Sequence, residues 1–395
     1  MACFPVNPVL RKLNDTNAKI YRESVVLFRP VPFKLCDFTQ LVYVAPSVDS
    51  CKKLHLRSLT HHTIMVSGFS NEDMVFINRN NDNIISMNRT NLDKPRFEEI
   101  MDLDIKSDDT KCVVTGKITI DVVDIEKNMV CERLSAVEFP LKTKYNPKNP
   151  NVLACASKDQ LVLYDSRDRV RRLVNSNSDF GNAPLQPSIN IKRKSTRGQP
   201  PATKPSDMIW YDDRKLLVSN RSVGQLKVFD IRYLKDGAMR VKESEELGGF
   251  KGGIEQMKLD DGSGIVYGMN YRSGIIKCFT PDLVVGELPI IEEGFQGKDS
   301  CIEIIKDPTG TSSLVQWGKS GDKSMINCTP LPLTCGSLSY GTPVTKRFVV
   351  GRAQNLDNVA GDLCHNPVGR FLAVPFWNNS REVSALIDYV GVENL

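Results

Sequence analysis

The chain has 395 residues, of which 41% are hydrophobic, so it is long enough and apolar enough to bury a large core. Its 52 Lys and Arg residues against 47 Asp and Glu residues leave a net charge of +5, which does not by itself indicate a nucleic-acid partner. No basic segment followed by an apolar run opens the sequence, and no stretch of about 18 apolar residues occurs. We therefore expect a protein that is not secreted and has no membrane partner.

The eleven cysteines stand singly along the chain, without a C-x-x-C pair that would indicate a metal or redox site. Cys155 and Cys278 lie inside apolar strand patterns, where a free thiol behaves as a small buried hydrophobe. Because this use of cysteine is typical of a reducing compartment, we expect a nuclear or cytoplasmic location.

The first part of the chain, residues 1–57, differs in pattern from the rest of the sequence. Proline interrupts it repeatedly, and only two short segments, 24–28 and 41–45, have strand-like sequences. We therefore expect residues 1–57 to form an N-terminal segment that contributes a strand closing the structure.

From residue 60 onward, short strands and polar turns recur with almost no helical periodicity. In the clearest unit, a turn at 146–150 precedes the strand 152–156, and the alternating strand 161–164 ends at Asp165. Seven units fit the sequence, beginning near residues 60, 101, 136, 207, 254, 300 and 360. Their spacing clusters near the roughly 40 to 50 residues of a propeller blade, which predicts an all-β propeller rather than an α/β enzyme fold.

Two of these units resemble the second and third strands of WD-repeat blades. They carry Tyr164-Asp165 and Phe229-Asp230 where that family has its Trp-Asp pair, although the chain contains neither a Trp-Asp nor a Gly-His dipeptide. The resemblance implies a β-propeller of about seven four-stranded blades over residues 58–395, with an insertion at about 168–204. It also implies a non-catalytic scaffold whose loop surfaces hold several protein partners.

Both of these units end in an Asp-x-Arg sequence, formed by Asp165 and Arg167 and by Asp230 and Arg232. Consecutive units of this kind resemble the box by which some WD-repeat proteins dock on the adaptor of a cullin ubiquitin ligase. The resemblance implies that the arginines reach a partner surface. The alternative is that Asp and Arg satisfy polar groups of the turn and the sheet edge.

The insertion at about 168–204 is the most basic segment of the chain and is rich in Asn, Ser, Gly and Pro, so we expect a long loop. Three interpretations stay open: nuclear import, contact with RNA or DNA phosphates, and a solvated loop without a partner. Phe180 alone offers an aromatic ring for base stacking, so a nucleic-acid contact would be an accessory one. The cations concerned are Arg171, Arg172, Lys192, Arg193, Lys194 and Arg197.

The sequence gives little evidence for catalytic or metal-binding residues. Gly318-Lys319-Ser320 lacks the earlier glycine of a phosphate-binding loop and is interpreted as a turn. His61 and His62 are neighbours that would point to opposite faces of a strand, which disfavours a shared metal. Acidic pairs such as Asp212-Asp213 and Asp260-Asp261 are better explained as turn formers than as acid/base partners.

We therefore expect no catalytic, cofactor or metal site and no small-molecule substrate. The leading hypothesis is a protein-interaction scaffold, a WD-repeat-like subunit of a nuclear or nucleocytoplasmic multiprotein or ribonucleoprotein complex. Two alternatives stay open: a substrate receptor of a cullin-RING ubiquitin ligase that docks through its Asp-x-Arg boxes, and an RNA-associated factor that uses the basic insertion.

Overall fold

The structure is a computed structural model, and the residues it describes are all-β. They are 34–35, 40–42, 54–61, 64–69, 74–80, 83–90, 100–135, 140–157, 160–167, 189–190, 205–220, 226–235, 238–242, 253–270, 274–281, 284–288, 300–306, 312–320, 323–331, 346–352, 362–366, 368, 371–375 and 384–390. Among them, no helix is long and apolar enough to cross a membrane.

The described strands form seven antiparallel sheets, preceded by the short N-terminal strands β1 (Lys34–Leu35) and β2 (Gln40–Val42). Sheet 1 contains β3 (Leu54–Ser58), β4 (Ile64–Phe69), β5 (Met74–Asn80) and β6 (Asn83–Thr90). Sheet 2 contains β7 (Asp102–Ile105), β8 (Lys111–Thr115), β9 (Thr119–Asp124) and β10 (Met129–Ser135). Sheet 3 contains β11 (Pro140–Tyr145), β12 (Val152–Ser157), β13 (Gln160–Asp165) and β14 (Ile189–Asn190).

The second half of the chain continues the same order. Sheet 4 contains β15 (Pro205–Trp210), β16 (Lys215–Asn220), β17 (Leu226–Lys235) and β18 (Ala238–Lys242). Sheet 5 contains β19 (Ile254–Asp260), β20 (Ile265–Asn270), β21 (Ile276–Phe279) and β22 (Val284–Leu288). Sheet 6 contains β23 (Cys301–Lys306), β24 (Ser312–Ser320), β25 (Lys323–Pro330) and β26 (Lys346–Arg352). Sheet 7 contains β27 (Cys364–Asn366), β28 (Phe371–Pro375) and β29 (Ser384–Val390).

The first strand of each sheet lies at the centre of a closed ring. Each of these strands contacts the first strand of the next sheet, and β27 of sheet 7 contacts β3 of sheet 1. Sheet 7 also takes up the N-terminal strands, because Lys34 lies opposite Val390 in the β1–β29 pair and β2 pairs with β29 as well. Sheet 1 begins at Leu54, which is earlier than residue 58. The division into an N-terminal segment and a propeller otherwise stays a prediction.

The second strands show why the apolar runs in the sequence are short and continuous. Every residue of β12 is buried, because Leu153 and Cys155 pack toward sheet 2 while Val152, Ala154 and Ala156 pack toward sheet 4. A strand buried on both faces has no polar alternation. The expected burial of Cys155 and Cys278 is confirmed, and burial raises the pKa of the Cys155 thiol, which is free.

Two turn predictions are confirmed and one is wrong. The Asp212 carboxylate accepts hydrogen bonds from the backbone N–H groups of Arg214 and Lys215, at 2.7 and 2.6 Å. Asp260 accepts one from the Ser263 hydroxyl at 2.6 Å. The segment 318–320 is instead the end of β24 and pairs with β25, because the hairpin turn follows it.

The joint between sheets 3 and 4 gives a stability prediction. Trp210 is 4% exposed, packs against Ala154 and Ala156, and donates a hydrogen bond from Nε1 to the Lys144 carbonyl at 3.1 Å. We expect Trp210→Ala to lower the free energy of unfolding by about 3–5 kcal/mol, because it leaves a large cavity in the joint. Urea unfolding followed by circular dichroism measures the change.

The control for this prediction is Ile118→Ala, since Ile118 is 54% exposed. We expect this variant to stay within about 0.5 kcal/mol of the wild type. Equal losses in the two variants would contradict the packing at this joint.

Candidate docking surface and central polar ring

Polar residues two positions apart recur on the central strands. The pairs are His55 and Arg57 in β3, Asp102 and Asp104 in β7, Lys142 and Lys144 in β11, and Gln256 and Lys258 in β19. Side chains at i and i+2 of a strand lie on one face of the sheet. Together with Asp362 and Glu303, these residues form a network that we call the central polar ring.

Arg57 is at the middle of this network. Its guanidinium lies 2.8 Å from Asp362, 3.2 Å from Asp102 and 3.9 Å from Asp104, so one side chain from sheet 1 joins sheets 7 and 2. Lys142 lies 3.5 Å from Asp102, and Lys144 lies 3.3 Å from Asp104. Three cations therefore face three carboxylates. A separate ion pair joins sheets 5 and 6, where Lys258 lies 2.6 Å from Glu303.

The same carboxylates also bind backbone groups of the next sheet. Asp102 accepts a hydrogen bond from the Thr143 N–H at 3.2 Å, and Asp104 accepts one from the Tyr145 N–H at 2.8 Å. The pattern recurs further along the chain: the Met257 N–H donates to Asp207 at 2.7 Å, and the Ile302 N–H donates to Gln256 at 2.9 Å. Each of these bonds ties one central strand to the next.

The charges in the ring change the pKa of Asp102. Burial alone would raise this pKa, but the nearby Lys142, Lys144 and Arg57 outweigh burial and hold it well below its usual range. For Lys142, burial favours the neutral form, yet the carboxylate of Asp102 raises its pKa. Both groups are therefore charged at neutral pH and depend on each other.

His55, Asp102 and Asp362 each place one atom of a type that can bind a metal within 4.8 Å of the other two. The His55 Nδ1 lies 3.3 Å from Asp362 and 4.0 Å from Asp102. The Arg57 guanidinium already contacts both carboxylates, and Lys142 is close to one of them. Because these cations supply the positive charge that a metal ion would bring, the set fits an ion-pair network and does not fit a metal centre.

The two Asp-x-Arg sequences occupy equivalent positions in adjacent sheets. Asp165 lies opposite Val152, and Asp230 lies opposite Lys215, at the start of the second strand in each case. The residue after each aspartate donates its N–H to the carbonyl just before that strand: Ser166 to Asn151 at 2.8 Å, and Ile231 to Arg214 at 2.9 Å. The sequence repeat therefore corresponds to a repeat in three dimensions.

Arg167 binds its own aspartate. Its Nε and Nη2 atoms lie 2.9 and 2.6 Å from the Asp165 carboxylate, and these hydrogen bonds lower the pKa of Asp165. The arginine side chain is still 63% exposed, so the pair is presented to solvent. Arg232 lies in β17, but its side chain is outside the described residues. The cations of the basic insertion, Arg171, Arg172, Lys192, Arg193, Lys194 and Arg197, also lie outside them.

A groove between sheets 2 and 3 opens beside the Asp165 turn. We call it the docking groove. Its apolar wall is formed by Val122, Leu134, Tyr145, Pro150, Leu153 and Tyr164. Its polar rim is formed by Lys106, Lys111, Glu132, Asn151, Asp165 and Ser166. The turn predicted to dock a partner and this groove therefore share one surface.

Neither the central polar ring nor the docking groove is predicted from the sequence. A signal for the ring does exist, because polar residues alternate with single intervening residues in 55–57, 102–104, 142–144 and 256–258. It is a weak signal, since the same alternation is typical of any half-exposed strand. The groove has no sequence signal, because its residues come from seven separate segments of two sheets.

Comparison with known proteins identifies the fold. No protein-family model matches the chain, and no curated protein matches it. Chains of known structure match in large number, 1168 in all, which indicates a widespread architecture rather than one relative. The chain has the fold of a β-propeller, as its repeats predict.

Two of these structures illustrate the likeness. A chain of the crystal structure of the mitotic checkpoint complex has a TM-score of 0.59 and 10% identity, with 91% of this chain and 94% of that chain covered. The β-propeller domain of Cps50 (Swd1) from Myceliophteria thermophila has a TM-score of 0.56 and 13% identity, with 88% and 100% covered.

The central polar ring gives a prediction about acid stability. We expect Asp102→Asn to lower the free energy of unfolding by about 3–5 kcal/mol at neutral pH, because Lys142 and Arg57 lose a buried counter-charge. Folding lowers the pKa of Asp102. The stability that the charged Asp102 side chain contributes is therefore complete above the unfolded-state pKa of about 3.9, and it is lost as the pH falls toward the folded-state pKa. The difference between wild type and variant should therefore narrow below about pH 4.

Urea unfolding over a pH series measures this difference, with Asp261→Asn as the control. The Asp261 side chain is 77% exposed, so its substitution should leave the pH profile unchanged. A difference that stays constant across the series would show that Asp102 does not act through its charge.

Proposed function

We propose that the protein is a non-catalytic protein-interaction scaffold and a subunit of a multiprotein complex in the nucleus or cytoplasm. One observation carries the proposal: a groove with an apolar wall lies beside the exposed Asp165–Arg167 pair, on one face of a closed ring of sheets. Protein–protein interfaces have an apolar core surrounded by a polar rim. Because the ring is rigid, the residues of the groove lose little conformational entropy when a partner binds.

The chemistry of the described side chains supports a binding role over a catalytic one. Burial raises the pKa of the Cys112, Cys301 and Cys364 thiols, which keeps them protonated and weakly nucleophilic at neutral pH. The charged groups of the central polar ring contact one another and the backbone, so they serve the joints between sheets. The two structures named above come from a checkpoint complex and from a propeller domain, which is consistent with a complex subunit.

Affinity purification of the full chain from its native cells tests the proposal, with mass spectrometry of the associated proteins before and after nuclease treatment. We expect stoichiometric protein partners that survive nuclease. Partners that are all lost after nuclease would favour the RNA-associated alternative, and charge reversal at Lys192, Arg193 and Lys194 would then have to release them. Recovery of the chain alone would overturn the scaffold.

A second candidate function is docking on a cullin adaptor, and the equivalence of the turns at Asp165 and Asp230 favours it. In this case Arg167→Ala combined with Arg232→Ala should abolish adaptor binding while the thermal unfolding midpoint stays close to that of the wild type. Pull-down with the purified adaptor measures binding. The matched control is Lys127→Ala, since Lys127 is an exposed cation that lies 3.6 Å from Asp124 in the corresponding turn of sheet 2. Unchanged binding by the double variant would exclude this function.

A further inference from the structure

The docking groove combines an apolar wall with charges of both signs on its rim. We propose that the groove binds a short extended segment of a protein partner, which inserts one large apolar side chain between an acidic residue placed at Lys111 and a basic residue placed at Glu132. This inference rests on the proposed scaffold function and specifies the chemistry of one partner.

The apolar wall of the groove continues the packing between two sheets. Val122, Leu134 and Leu153 belong to the buried cluster that joins sheets 2 and 3, and Tyr145 packs against its edge. At the groove this packing ends, and a small part of its apolar surface meets open space. A single large side chain from a partner would extend the same cluster, and burial of its apolar surface would favour binding.

Two charges on the rim form no ion pair within the described part of the chain, although Asp124 stands opposite Lys111 in the β8–β9 pair. Lys111 and Glu132 are half-buried, and neither forms an ion pair there. The other charged rim residues are paired locally: Lys106 lies 2.7 Å from Asp108, and Asp165 lies 2.6 Å from Arg167. Partly desolvated charges without a partner are costly, so opposite charges on a ligand gain more here than at an ordinary exposed site.

The sheet register sets the spacing of these two charges. Lys111 is in β8 and Glu132 is in β10, with β9 between them. Neighbouring strands are about 4.8 Å apart, so two strand spacings separate the residues by about 10 Å across the sheet. Lys111 lies opposite Asp124 and Glu132 opposite Val122, so they are also offset by about 7 Å along the strands, which makes their separation about 12 Å. An extended peptide rises about 3.3 Å per residue, which places its acidic and basic residues about three to four positions apart. The anchoring apolar residue then falls between them.

The same charges argue for a peptide over a nucleic acid. The rim carries both signs of charge, since Lys106 and Lys111 line it together with Glu132 and Asp165, and it therefore lacks the basic excess that binds a phosphate backbone. A peptide supplies both signs of charge and an apolar side chain in one extended segment.

The test begins with a display library of random short peptides, selected on the purified full chain. We expect the selected peptides to share one large apolar residue flanked by an acidic and a basic residue. In binding measurements with a selected peptide, Lys111→Glu and Glu132→Lys should each weaken binding about tenfold or more. The double variant that combines Lys111→Glu with Glu132→Lys should prefer a peptide in which the acidic and the basic residue have exchanged places.

Lys117→Glu is the matched control, because it makes the same charge change in the β8–β9 hairpin at the opposite end of sheet 2. It should leave the affinity within about twofold of the wild type. If a charge-reversal variant fails to fold, the neutral variants Lys111→Gln and Glu132→Gln replace it. They should also weaken peptide binding, but by less.

Three results would overturn the inference: no enriched peptide, enriched peptides without the flanked apolar residue, or equal affinity for the wild type and the double variant. The scaffold proposal has its own test. If cellular partners remain bound to the variant that combines Lys111→Glu with Glu132→Lys, the scaffold proposal stands, and the docking groove is excluded as the site that binds them.

Discussion

Each central strand has a hydrogen-bonded neighbour within its own sheet on one side only, so the N–H groups on its other edge need partners from elsewhere. Asp102, Asp104, Asp207 and Gln256 provide them, because each accepts a hydrogen bond from the first strand of the following sheet. An unsatisfied buried N–H costs about 1–3 kcal/mol, so this bonding decides whether the sheets can meet at the centre. Among them the Asp102 carboxylate is buried and in turn requires Arg57 and Lys142.

This constraint separates the centre of the ring from its faces. The charges at the centre contact each other and the backbone, and they hold the joints between sheets. The joints themselves differ at the ends of the central strands. Trp210 ends β15 and fills the joint between sheets 3 and 4, where it donates to the Lys144 carbonyl. Tyr145 holds the corresponding place at the end of β11, and the groove remains open beside it.

The sequence predicts the parts of this fold that depend on nearby residues. The unit of strand, polar turn and strand that ends at Asp165 is local, so its repetition is visible without a structure and the β-propeller prediction is confirmed. The central polar ring is different, because Arg57 and Asp362 are 305 positions apart and their contact exists only once the ring closes. For the same reason the sequence does not indicate that the first strand of sheet 1, with His55 and Arg57, belongs to the first unit.

The docking groove is formed by sheets that are close together in the sequence. Its walls come from sheets 2 and 3, which are consecutive in the chain and are joined by an apolar cluster and by the bonds from Asp102 and Asp104. Closure of the ring takes place elsewhere, where Arg57 contacts Asp362 and the Asn366 amide donates to Ser58 at 2.8 Å. Because the groove is built from neighbours, its shape depends on packing between two sheets, and the ring supplies the rigidity with which it is presented.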